Sequence, residues 1–472
     1  MVNFGFFDDW HPQPGRITSW SVSEAARAAM AAAPPYPTPP CYQQEEYLRA
    51  AHRQAGTRAR TSRVTMISFD MPGEPDVPAM TRALTAFVRR HDTFGSRFEV
   101  LPDDRVVRHA LPPERIDLVA TDHGDFADAA AIRAFVQANT PDARHWDCFG
   151  FGVIRHEGSF TVYAAIDHLH TDGVGQAITC VDLLMLYGSE LGGTPAPLAA
   201  VEGHLGYCDR ERAHNEALTE DSPEVRAWVD LLRRNGGDMP SFPLYLGTAG
   251  GSAYTRGAQI TLPLFDEPDA QRFEEVCEAR GGRFVGGLFA ALALTELELT
   301  GADWYFVLTP VNTRTTAGEA NSIGWYTNLV PVAIEAGTDN RFTGLVAAAQ
   351  RAADSARELG GVSPHRVVEL AAQRHGVRTR PGWAAMMMSY IDLRKFPGVE
   401  MFDRINGGMF ANDDSPGEVY VWVNRFPDVT KLSLLFPDTP EARQAVDQYI
   451  KTLLSIVGAV AHDGDYTVGV AV

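Results

Sequence analysis

The sequence predicts a mixed α/β fold in two lobes, and three observations lead there. The chain has 472 residues, more than one hydrophobic core usually supports. Apolar residues recur with period two in some stretches and along helical faces in others, the two kinds alternating. The alternation pauses at GGTPAPLAA, residues 192–200, and then begins again. That linker places the lobes at 1–195 and 196–472, and a site made of loops from both would lie in the cleft between them.

The elements follow in order. AAMAAAPPYPTPP (28–40) reads as a connecting segment because its prolines forbid regular structure. RVTMISFDM (63–71) alternates as a strand does. Asp76 is a suitable N-cap for a helix that lines up Met80, Ala83, Leu84, Phe87 and Val88 on one face. Strands are expected at 105–110, 149–156 and 159–166, and helices over 125–139 and 174–190. In the second lobe Ser222 caps a helix with Pro223 at its first position and Gly236-Gly237 beyond its end. Helices at 267–280 and 284–299 come next, then strands at 303–309, 328–334, 384–390, 418–424 and 431–436, and a closing helix at 440–460.

Composition excludes several classes of function. With 45% hydrophobic residues and no apolar run long enough for a membrane helix, a soluble body is expected. The opening MVNFGFFDDWHP carries acids where a secretory signal has basic residues, so the cytoplasm is the expected compartment. A formal charge of -19 opposes nucleic-acid binding, which needs a basic surface. The five cysteines, at 41, 148, 180, 208 and 277, are scattered and show no C-x-x-C pair. They read as reduced thiols rather than a disulfide framework or zinc knuckle.

The stretch richest in chemistry is AAIDHLHTDG, residues 164–173. Read as H-x-H-x-D, it offers His168, His170 and Asp172 as metal ligands, one histidine short of the H-x-H-x-D-H of metallo-β-lactamase-like hydrolases, with His204, His214 or His365 as loose additions. Read as H-x-x-x-D-G, it makes His168 a lone base at a strand end, projecting from a turn where Gly173 lets a substrate approach the backbone. A neutral imidazole suits removal of a proton from a hydroxyl or amine. Asp172 then orients the base or pairs with a cation elsewhere. Arg314, in TPVNTR of the second lobe, is the candidate, in a pair that would fix the turn across the two lobes.

Together with NSIGWYTNLVPV (321–332) and RRHDTFGSRF (89–98), the H-x-x-x-D-G motif resembles the superfamily of chloramphenicol acetyltransferase, nonribosomal peptide condensation domains and carrier-dependent acyltransferases. The likeness is strongest to the actinobacterial polyketide-associated protein (Pap) acyltransferases. It extends through DDWHPQPG (8–15), PPCYQQEEYLR (39–49), HWDCFGFGVI (145–154), VYVWVNRF (419–426) and LLFPDTP (434–440).

The resemblance implies a V-shaped pseudodimer of two acetyltransferase-like lobes with a central tunnel. An acyl group borne on the phosphopantetheine of CoA or a carrier protein would meet a hydroxyl acceptor at His168 and leave as an ester, with no cofactor and no metal. Backbone N–H groups near Gly173 would serve the oxyanion, and Trp325, Asn328 and Ser389 are candidates to line the site. Peptide-forming condensation domains usually begin the motif with two histidines, and Asp167 stands in the first place here. The alternatives are a free-standing condensation enzyme joining a carrier-tethered aminoacyl group to an amine or alcohol, and a module that only docks carrier proteins.

Overall fold

A computed structural model describes residues 3–55, 63–248, 256–337, 339–372, 376–378, 385–395, 399–412 and 417–469. The chain forms two compact units. The first takes in Met1–Glu216, Thr313–Thr327 and Gly398–Asp414, and the second Ala217–Asn312, Asn328–Pro397 and Ser415–Val472. The units are thus interleaved in sequence, where one division at 195/196 was expected.

The first unit is built on a seven-stranded sheet. Its strands are β1 (Asn3–Phe6), β2 (Gly15–Val22), β3 (Val64–Pro72), β6 (Leu118–Phe126), β7 (Phe149–Arg155), β8 (Ser159–Asp167) and β13 (Gly408–Ala411), in the order β1-β13-β3-β8-β7-β2-β6. β4 (Ser96–Val100) and β5 (Val106–Ala110) make a separate hairpin. β8 lies at the centre, antiparallel to β3 and β7, and every residue of it after Ser159 is buried. It is a continuous apolar run because both of its faces are covered.

The helix Val77–Arg90 starts as the sequence requires, with Asp76 accepting the Ala79 N–H, and it buries the expected face from Met80 to Val88. It packs against the helix Gly173–Gly192. Two expectations need correction. Residues 28–31 are not connecting chain but the end of a helix, Glu24–Ala31, because Ser23 caps it and the first proline comes only at Pro34. The stretch 125–139 opens as the end of β6, and its helix is confined to Ala129–Ala138 behind the Asp128 cap.

The second unit holds β9 (Gly257–Asp266), β10 (Trp304–Asn312), β11 (Thr327–Glu335), β12 (Met387–Asp392), β14 (Tyr420–Arg425) and β15 (Val429–Pro437), in the order β11-β10-β12-β14-β15-β9. Of the strand expected at 384–390, residue 384 lies outside the described residues. The helix Phe284–Thr300 is apolar on all sides and is buried from Phe284 through Glu296 apart from Val285, as a helix without a polar face must be. The closing helix Pro440–Asp463 packs on it.

Candidate functional site

β8 ends at Asp167, so the chain leaves the buried centre of the sheet at His168. The turn there is held by Asp167, whose Oδ1 accepts the Leu169 N–H at 2.9 Å and whose carbonyl accepts the His170 N–H at 2.9 Å. Its Oδ2 accepts the Tyr47 hydroxyl at 3.0 Å, and the Tyr47 oxygen accepts the Arg63 N–H at 2.8 Å. The Arg63 carbonyl in turn accepts the N–H of His168 at 2.8 Å. The aspartate in the motif's first place is therefore a buried brace for the turn.

His168 is half-buried, and its ring centroid lies 4.2 Å from that of Trp325 at 52°. Nδ1 is buried without a hydrogen-bond partner. Burial, helped by the positive charge of Arg63, pushes the imidazole down to about 4, although the Asp172 charge and the residue's own main chain act the other way. The ring is therefore neutral at neutral pH, the form that can accept a proton.

Asp172 points away from that ring. It is the N-cap of Gly173–Gly192, with Oδ1 accepting the Gly175 N–H at 2.8 Å. Arg314 grips it with both terminal nitrogens, Nη1 at 2.8 Å from Oδ2 and Nη2 at 3.0 Å from Oδ1. Oδ2 also accepts the Tyr326 N–H at 3.0 Å and the Thr327 hydroxyl at 3.4 Å. Arg314 further donates to the carbonyls of Glu319 and Ser322 and lies 4.2 Å over the ring of Tyr326. Both charged side chains are only 2% exposed. The pair expected to join two lobes closes within the first unit, because the chain beyond β10 returns to that unit over Thr313–Thr327.

At the start of the same helix, the N–H groups of Gly173 and Val174 have no partner among the described residues. Those beyond them are taken, Gly175 by the Asp172 carboxylate and Gln176 by the Asp172 carbonyl. A Cβ placed on Gly173 would have no atom within 4 Å. The helix thus presents two free donors and its positive end to open space.

Of the remaining candidates, Trp325 lies against His168 in the first unit, and Asn328 and Ser389 are residues of the second. The Asn328 amide donates to the carbonyls of Gly360 and Val362 at 2.9 and 2.8 Å, which ties down a loop. Ser389 sits in mid-strand opposite Trp422. The H-x-H-x-D metal set does not assemble. His170 is fully buried, with Nδ1 3.1 Å from the Thr93 hydroxyl and its ring among Phe94, Phe98 and Phe149, and Asp172 is spent on Arg314. Among the described residues the group close enough to share a metal is instead Cys41, His204 and Cys208; neither His214 nor His365 joins it.

The condensation-domain family model matches residues 56–388. Over 469 residues the chain is 37% identical to 2'-acyl-2-O-sulfo-trehalose (hydroxy)phthioceranyltransferase PapA1 of Mycobacterium tuberculosis (strain ATCC 25177 / H37Ra), covering 98% of this chain and 89% of that protein. The chain is an acyltransferase of the condensation-domain family. The acyltransferase is also 36% identical over 460 residues to trehalose-2-sulfate acyltransferase PapA2 of Mycobacterium tuberculosis (strain ATCC 25618 / H37Rv), covering 97% of each. Its structure matches the solved PapA2 acyl transferase with a TM-score of 0.91 at 35% identity, over 98% of this chain and 100% of that one. The condensation domain of the monacolin K polyketide synthase MokA matches with a TM-score of 0.70 at 14% identity, over 92% of this chain and 99% of that one, a likeness of fold alone. That fold is the chloramphenicol acetyltransferase-like α/β fold.

Several residues that shape the surroundings of His168 escaped sequence reasoning. His91, in RRHDTFGSRF, places Nε2 2.9 Å from Asp182 and accepts the Ile323 N–H on Nδ1 at 3.2 Å, bracing the loop that carries Trp325. Gly324 is glycine because a Cβ there would stand 2.3 Å from the His204 ring. Tyr47 and Asp167 meet across 120 positions. Only the glycine in IGWY was a local signal; the other pairings are long-range.

Proposed function

We propose that the protein transfers an acyl group from a phosphopantetheine thioester, on CoA or a carrier protein, to a hydroxyl of a trehalose-type disaccharide, forming an ester in lipid biosynthesis. One observation carries the reading. A neutral His168, with Nδ1 buried and the residue partly accessible, stands at the end of β8 in the H-x-x-x-D-G turn, whose glycine opens a helix with two free N–H groups. The sugar class is taken from the relatives, which are named for trehalose derivatives.

With Nδ1 buried, Nε2 is the base. It takes the acceptor's hydroxyl proton as the oxygen attacks the thioester carbonyl. The oxyanion of the tetrahedral intermediate is held by the N–H groups of Gly173 and Val174. Collapse expels the thiolate, which receives the proton from His168, so no acyl-enzyme forms and the chemistry requires no metal. Asp172 and Arg314 hold the turn and do not touch the reacting atoms.

The test supplies the purified protein with an acyl-CoA or acyl-carrier thioester and trehalose or 2-O-sulfotrehalose, and follows thiol release and product mass. Thiol release that depends on the sugar, with a product cleaved by hydroxylamine, is expected. Transfer to amines but not to sugar hydroxyls would indicate a condensation enzyme instead, and carrier binding without turnover would indicate a docking module.

A further inference from the structure

The acyl-transfer reading leaves unused a buried group behind Trp325. Cys41 caps the helix Tyr42–Arg53, and His204 and Cys208 lie one turn apart on the helix His204–Ala217. All three are at most 1% exposed, and one ligand atom from each lies within 4.8 Å of the others. We propose that Cys41, His204 and Cys208 form a structural site for a thiophilic divalent cation, zinc above all, that fastens these two helices to the main chain of Trp325.

Four observations support it. Cys208 Sγ and His204 Nδ1 are 3.7 Å apart, close to the roughly 3.6 Å that sulfur and nitrogen ligands span around tetrahedral zinc. The other ring nitrogen of His204, Nε2, donates to the Trp325 carbonyl at 3.2 Å, the outer hydrogen bond that fixes a ligating imidazole and leaves Nδ1 free for the metal. Gly324 clears the space in which that ring sits. Finally, Glu211 stands three residues beyond Cys208 with Oε1 accepting the N–H of Tyr42 and Oε2 buried without a partner, a nearby carboxyl group outside the set of three ligands that lie within 4.8 Å of one another.

Charge also closes. Arg108 is buried, with Nη2 3.0 Å from Cys208 Sγ and with Nε and Nη1 unpartnered, and a buried guanidinium needs negative charge nearby. Two thiolates balance one divalent cation, and Arg108 faces one of them, Cys208. The inference is independent of the acyl-transfer chemistry, because no ligand reaches the reacting atoms.

The experiment expresses the full chain with zinc in the medium, removes loosely bound metal, and measures metal by mass spectrometry alongside free thiols under native and denaturing conditions. About one zinc per chain is expected, released when a mercurial titrates the thiols. Replacement by cobalt should give a thiolate-to-cobalt charge-transfer band. Cys41→Ser and Cys208→Ser should each lose most of the zinc, whereas Cys277→Ser in the second unit should keep it. The cobalt spectrum of the unaltered protein needs no variant to fold. Zinc below a tenth of an equivalent after reconstitution, zinc kept by both variants, or a Cys41–Cys208 disulfide in the purified protein would overturn the proposal.

Discussion

Consider replacing Arg314 by Gln. The Asp172 carboxylate then keeps the N–H groups of Gly175 and Tyr326 but loses both charged donors, in a place where each partner is 2% exposed. Breaking a pair buried this deeply costs about 3–5 kcal/mol, with little solvent screening to discount it. The two surviving main-chain donors favour the lower end, so about 3 kcal/mol is expected, roughly a hundredfold in the unfolding equilibrium of the first unit. Asp172→Asn should cost a similar amount, since it strands Arg314 on two carbonyls and a ring. The double variant should cost less than the sum, by about 0.5–3 kcal/mol. Hydrogen exchange of peptides spanning 169–180 and 313–327 reads the cycle locally, next to turnover. Activity and protection should fall together in both single variants. Strictly additive losses, or Asp172→Asn losing rate while Arg314→Gln is silent, would mean that the two side chains are not coupled and would assign Asp172 to His168.

Three further predictions concern acid and space. His168 at about 4 and His170 at about 3, with His91 also lowered, titrate below their unfolded values because burial disfavours the charged ring; at these three positions the unfolded chain therefore takes up protons before the folded one as pH falls below about 6.5. The stability these rings contribute should decline from there to about pH 4, so His170→Gln should make the protein lose less stability over that range than the parent in urea titrations; an identical pH dependence would mean that the ring is charged in the fold. Because His168 is neutral down to about 4, kcat/KM at low substrate should hold level from neutral pH to near pH 5 wherever the fold persists, and an inflection near 6.5 would contradict the lowered value. Gly173→Ala meets no protein atom within 4 Å, so its thermal stability should match or slightly exceed the parent's, while its added methyl group should lower turnover by crowding the approach of the acyl group; undiminished turnover would show that the acyl group does not pass over this residue.

Much of the fold was legible wherever one element carries its own signal. The Asp76 cap with its apolar face, the Ser222-Pro223 entry and the apolar run of β8 all need only neighbouring residues to be read. β1 and β13 were not legible, because each is four residues long and they pair across some 400 positions. The same division runs through the site. H-x-x-x-D-G exposes His168 and Asp172 by spacing, and Arg314 follows from the need of a buried aspartate for a cation. Asn328 was a candidate through its nearness to Trp325 in sequence, and Ser389 had no such signal. In the fold, however, the chain passes from one unit to the other between Thr327 and Asn328, and the Asn328 amide turns to carbonyls of its own unit. Tyr47 and His91 act through partners far along the chain, where periodicity has nothing to say.

His168, and not a metal or a histidine pair, is proposed to move the proton, a role for the residue that variants can separate. It is tested most directly by steady-state turnover of His168→Ala beside His170→Ala, each with its folded structure verified, on an acyl thioester and a sugar acceptor. A loss of roughly 10²- to 10⁴-fold in kcat is expected for His168→Ala, the usual contribution of a general base, and a far smaller effect for His170→Ala. Equal losses in the two variants, or full turnover without His168, would contradict it.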